Sequence, residues 1–197
     1  VEDADDPAQA KLLKESLDMM FYERGIGRVN PWTYGGMTPM YAMIGDVKKV
    51  RESLHKGKCW SFSAGGVLIE TPHTLQMAAQ VPFLQSYNGV IRVFPAIPPD
   101  WKKAVFHTMR AEGSFDVSAK RMDGKTRWIL IRSDAGEPCR VQTDLARPIE
   151  AVGKRNFAMG DKDGIVTIDI KKSESVLLKT RGSDIDTTIA PVKHDGW

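Results

Sequence analysis

The chain is poor in cysteine, in blocks of like charge and in long apolar stretches. Only Cys59 and Cys139 occur among its 197 residues. Two unpaired thiols are the simplest reading, since a disulfide needs Cα atoms within about 7 Å. No Cys or His pair has the spacing of metal ligands, so no metal or other cofactor is expected. No apolar run approaches the roughly 20 residues that cross a bilayer, so no membrane partner is expected. The net charge is only +3, and the basic residues are dispersed rather than interleaved with aromatics, which argues against a nucleic-acid partner. The chain lacks an initiator methionine and a signal-peptide pattern. Its acidic opening, Val1 to Pro7, reads as the end of a cleaved or shortened form. Gly25-Ile26-Gly27 follows no strand and is no phosphate loop. A Gly-x-Ser-x-Gly elbow and a Cys/His nucleophile pair are also missing.

With 42% hydrophobic and 27% charged residues, the composition is that of a globular protein able to bury a core. Ala8 to Arg24 reads as a helix, capped by Asp6, opened by Pro7 and stopped by Gly25. Leu12, Leu13, Leu17, Met20 and Phe21 form its apolar face. Ile26 to Gly36 reads as a Gly/Pro-rich loop carrying Trp32 and Tyr34. The spacing predicts a second helix from about Pro39 to Lys56, with Gly45-Asp46 inside it. After loop or short extended structure from Cys59 to Ile69, a third, buried helix is expected over Thr74 to Ser86, kinked by Pro82.

Beyond Pro98-Pro99 the period shifts toward two. Phe115 to Met122 and Thr126 to Arg132 flank Asp123-Gly124, a hairpin signal. Short strands are expected over Arg140 to Asp144, Ile149 to Val152, Ile165 to Ile170 and Ser175 to Lys179. Segregated helices and strands argue against an alternating βαβ fold. The pattern predicts an α+β chain: a helical part over 1–100, then an antiparallel β-sandwich over 101–197.

Few residues suggest chemistry on their own. Glu70 lies among Val67, Leu68, Ile69 and Pro72. Desolvation there would raise its pKa and suit acid–base work, while a helix cap or an Arg partner would make it structural. His73 by itself reads as a helix-cap or core histidine. Trp32 and Tyr34 could line a sugar cleft, because aromatic faces complement the C–H face of a pyranose, or could pack in the helical core. Arg92, in the apolar run Val90 to Phe94, reads best as a structural ion-pair partner. His55 reads as a helix-dipole partner, and His107 and His194 as strand and tail residues. Trp60 and Trp101 read as seam or core residues, and Trp128 as part of the sandwich core.

One ordered set of segments is more specific. Gln85-Ser86 precedes Pro95-Ala96-Ile97-Pro98 and Trp101, and Ala111-Glu112-Gly113-Ser114-Phe115-Asp116-Val117 follows. This order resembles glycoside hydrolase family 95, the α-L-fucosidases and related α-L-galactosidases. The resemblance runs from about Trp32 to Leu145 and is strongest between Gln85 and Val117. Gly45-Asp46 matches the family's Gly-Asp, in a stretch that also bears Trp.

The resemblance implies that the helical part closes an (α/α)6 catalytic barrel. In the family an Asp in Ile-Asp-Gly-Asn-Phe-Gly is the general base of an inverting hydrolysis. Counting back without gaps from Gln85-Ser86 puts that pair on Ile69-Glu70, followed here by Thr71-Pro72-His73-Thr74. Glu70 is therefore the implied base, and His73, Trp32 and Tyr34 are the implied substrate contacts. No position matches the family's general acid, so the chain is expected to be inactive alone. Its implied partners are an oligosaccharide substrate and the rest of the barrel, and its implied location is periplasmic or secreted. The alternative is a non-catalytic carbohydrate-binding or structural β-sandwich.

Overall fold

The structure, a computed structural model, describes residues 5–23, 31–57, 62–63, 66–67, 70–152, 157–159 and 164–190. They fall into two compact units. One comprises the chain to Asn88 together with Phe94–Asp100; the other comprises Gly89–Val93 and everything from Trp101 onward.

The first unit holds the helices. α1 (Pro7–Asp18) opens as its sequence predicts, with the Asp6 carboxylate accepting a 2.8 Å hydrogen bond from the Ala8 amide and Pro7 in the first turn. It then widens into a π-helical turn, Met19–Glu23. Of its expected apolar face, Leu17 is buried and Leu13 and Phe21 pack against the core, but Leu12 and Met20 are exposed.

The long helix expected from Pro39 is instead two, and the first starts earlier. α2 (Pro31–Met43) takes in much of the stretch read as a loop, and α3 (Val47–Gly57) follows. Gly45, at φ 70°, makes the break. Its amide donates to the Ala42 carbonyl, and the Asp46 amide donates to the Tyr41 carbonyl, the two bonds of a Schellman stop. The Asp46 carboxylate then receives the Lys49 amide and caps α3. Met37, Tyr41, Ala42, Val50 and Leu17 form the core of this unit, tied across α2 and α3 by a buried 2.8 Å hydrogen bond between the Thr38 and Ser53 hydroxyls.

After the two-residue pair β1 (Phe62–Ser63) and β2 (Gly66–Val67), α4 runs from Glu70 to Gln80. The expected helix lay later in the chain. Pro72 is tolerated in the first turn, where an amide has no intrahelical partner, and Pro82 ends the helix rather than kinking it. Nor is α4 buried all round: Ala78 is, whereas His73, Gln76, Met77 and Gln80 are exposed. A turn leads into β3 (Leu84–Tyr87), where a helix had been expected. There the Phe94 amide donates to the Phe83 carbonyl, and their rings sit 6.2 Å apart.

The second unit is built of strands in two sheets, sandwich-like as the period-two pattern predicts. One sheet has the order β5 (Lys103–Ala111), β6 (Phe115–Met122), β7 (Lys125–Ser133), β12 (Ser175–Thr180), β9 (Ile149–Val152), antiparallel throughout. Asp123 and Gly124, at φ 54° and 74°, make the β6–β7 turn, as Asp-Gly predicts. The other sheet runs β10 (Phe157–Met159), β11 (Ile165–Ile168), β8 (Cys139–Gln142), β4 (Val90–Val93). It is mixed rather than purely antiparallel, because β4 pairs with β8 in parallel, Ile91 opposite Val141. Val117, Ala119, Ile129, Ile131 and Leu178 of the first sheet and Val141, Val166 and Ile168 of the second are fully buried.

Candidate functional site

Trp32 and Tyr34 lie on α2, and Glu70 and His73 on α4, two helices that cross at Gly35 and Thr74. Gly35 makes that crossing close: a Cβ on it would stand 2.6 Å from Thr74 Oγ1 and 3.1 Å from the Thr74 carbonyl carbon. Tyr34 and His73 each immediately precede the crossing residue of their helix. Trp32 and Glu70 each lie about one turn before it, and their side chains are outside the described residues. Glu70 is the first residue of α4, the end of a helix at which amide dipoles favour negative charge.

The surroundings differ between the two visible side chains. His73 is exposed. Tyr34 is half-buried against the core of its unit, with Lys56 Nζ 5.7 Å from its ring centroid, and Lys56 is held by Glu52 at 2.6 Å. Helix packing thus fixes Tyr34, while His73 is open to solvent.

A polar cluster steadies α1 against the α2–α3 joint. Lys14 reaches Asp18 at 2.7 Å and Asp46 at 3.1 Å, and the Tyr41 hydroxyl donates to Asp18 at 3.0 Å. Burial pushes the Asp18 carboxyl up, but hydrogen bonds from Lys14 and Tyr41 outweigh it and leave it below the usual carboxylate range. The same bonds to Asp18 and Asp46 raise Lys14.

Arg92 is buried in β4 and donates to the Val90 carbonyl at 3.2 Å. His55 lies in the last turn of α3, where a dipole partner was expected, and His107 is exposed on β5. Cys139 is a free, buried thiol whose pKa burial pushes up to about 12. Cys59, Trp60, Gly25 and His194 lie outside the described residues. Trp128 is 1% exposed. It has the opposite strand parity to the inward-facing Ile129 and Ile131 and is covered instead by the segment after β12, donating from Nε1 to the Asp186 carbonyl at 2.9 Å. The sandwich-core reading of Trp128 is thereby corrected.

Sequence reasoning missed a cleft of about 460 Å³ on this same face, lined by Lys120, Lys125, Thr126, Trp128, Ser183 and Asp184, among others. Its residues come from three separate stretches of chain, so no local motif marks them. No curated protein matches the chain in sequence. A family model does, and it covers the segment where the resemblance is strongest: residues 85–178 match the model of the glycoside hydrolase family 95, C-terminal domain.

Proposed function

We propose that the chain is part of a glycoside hydrolase that cleaves α-linked L-fucose or L-galactose with inversion, using Glu70 as general base. The helical unit supplies the last helices of an (α/α)6 barrel, and the strand-rich unit belongs to the C-terminal β-sandwich. Glu70 takes a proton from water as the water oxygen attacks the anomeric carbon. The bond from that carbon to the leaving oxygen breaks, and an acid from the rest of the barrel protonates the leaving group. Inverting sites hold the two carboxyl groups about 6.5–9.5 Å apart, with room for the water between them. His73, Trp32 and Tyr34 contact the sugar.

The family match over residues 85–178 is the observation that carries this reading. Two features support it. Glu70 begins α4, at the helix end that favours a carboxylate, the form a base requires. The helical unit also exposes Leu12, Met20 and Met77 at 40% or more, apolar surface suited to contact with further barrel helices. An exported protein, periplasmic or secreted, fits the same family.

The test uses an enzyme carrying the complete barrel. Glu70→Gln is expected to lower kcat by about 10²–10⁴-fold with little change in KM. Glu70→Asp should recover part of the loss, and the wild type should release a sugar of inverted anomeric configuration by NMR. Unchanged turnover in Glu70→Gln, or a retained configuration, rejects the assignment.

A further inference from the structure

The outward face of the sheet β5-β6-β7-β12-β9 carries a row of polar cross-strand neighbours: Lys120 opposite Trp128, Trp128 opposite Lys179, and Lys179 opposite Glu150. After β12 the chain turns at Gly182, φ 73°, and runs back over this row. It is held there at several points. The Ser183 amide donates to the Thr180 carbonyl, Lys179 donates to the Ser183 carbonyl at 2.7 Å, and Trp128 donates to the Asp186 carbonyl at 2.9 Å. The Thr188 amide closes a turn on the Asp186 carboxylate at 2.9 Å. The cleft lies between this strap and the β6–β7 hairpin, so its shape is set before any ligand arrives.

We propose that this cleft is a binding site for a neutral sugar, built wholly within the β unit and independent of Glu70. Its volume, about 460 Å³, lies in the range of small-molecule sites. Its charges cancel. Lys120 pairs with Asp186 at 3.4 Å and Arg127 with Asp123 at 2.9 Å, leaving Lys125 and Asp184 without an ion-pair partner among the described residues. One positive and one negative side chain give no net attraction for an anion or a cation. They do supply one strong donor and one strong acceptor, the pair that hydroxyl groups satisfy together, since each hydroxyl both gives and takes a hydrogen bond. Met122 and Ile185 add apolar lining suited to the C–H groups of a pyranose, over the buried Trp128. A mostly apolar cleft with a few convergent polar groups orients such a ligand.

The experiment is calorimetric titration of the whole chain with L-fucose, lactose, cellobiose and inorganic phosphate. Saturable binding of at least one sugar is expected. It should weaken at least about tenfold when Lys125→Ala and Asp184→Ala are combined. Both side chains are exposed, so the far-UV circular dichroism should not change. Glu70→Gln should leave this binding unaltered, which separates the cleft from the proposed catalytic site. Three results overturn the proposal: no sugar binds, sugar binding survives the double substitution, or phosphate binds where the sugars do not.

Discussion

Asp18 carries more of the helical unit than its place near the end of α1 suggests. It takes the Lys14 ammonium and the Tyr41 hydroxyl at once, linking α1 to the buried ring of α2. Its carboxyl is held below the usual range, so folding gains from the ionised form. That gain is fully present above the unfolded pKa near 3.8 and is lost as pH falls through the lower folded value. Asp18→Asn should therefore cost about 1 kcal/mol at pH 7 and flatten the acid limb of the stability curve. Urea unfolding at neutral pH and near pH 3 checks this; parallel acid destabilisation of wild type and variant would refute it. The helix cap at Asp6 was legible because capping depends on the next two or three residues. The Asp18–Tyr41 bond spans two helices, and no local pattern announces it.

Among the elements, the helices taught more than the strands. Gly and Pro in the segment through Gly36 suggested a loop, yet α2 begins at Pro31. Proline suits a first helical turn, and Gly35 is there because α4 leaves no space for a Cβ. Two adjacent glycines separate these effects. Gly35→Ala gains helix propensity but drives a methyl group to 2.6 Å from Thr74 Oγ1 and 2.8 Å from Thr74 Cβ, and the Cβ cannot swing aside. A net loss of about 1–2 kcal/mol is expected. At Gly36 an added Cβ meets nothing within 4 Å, so Gly36→Ala should stabilise by about 0.5–1 kcal/mol. Denaturant unfolding followed at 222 nm measures both, and equal shifts of one sign would contradict the packing account. The β6–β7 hairpin was readable because Asp123-Gly124 satisfies both left-handed positions of its turn locally. β10 was not read as a strand, and β5 only at His107. β5 is irregular, with a register shift between Phe106 and Met109, and β10 has only three residues.

At the scale of the molecule, the unit containing most of the strands also claims Gly89–Val93. β4 lies in parallel against β8, with Val90, Ile91 and Val93 buried. A piece comprising residues 101–197 would leave the β8 edge unpaired and lose those side chains, each contributing about 1.5–3 kcal/mol on burial. Residues 89–197 should therefore melt higher and stay more soluble than residues 101–197. Equal melting temperatures by calorimetry would show that β4 adds nothing to this unit. No described helix is long and apolar enough to cross a membrane.

Composition, periodicity and turn chemistry alone determined the α+β order, the cap of α1, the Asp-Gly hairpin and most strands, because each depends on neighbours a few residues away. The ordered segments from Gln85 to Val117 likewise pointed to the family that the match over residues 85–178 supports. Only the tertiary structure decided that β4 joins β8 and that Trp128 faces outward beneath a strap. Those outcomes depend on contacts between residues far apart in sequence, where close approach, register and a shared hydrogen bond override the local preference of either segment.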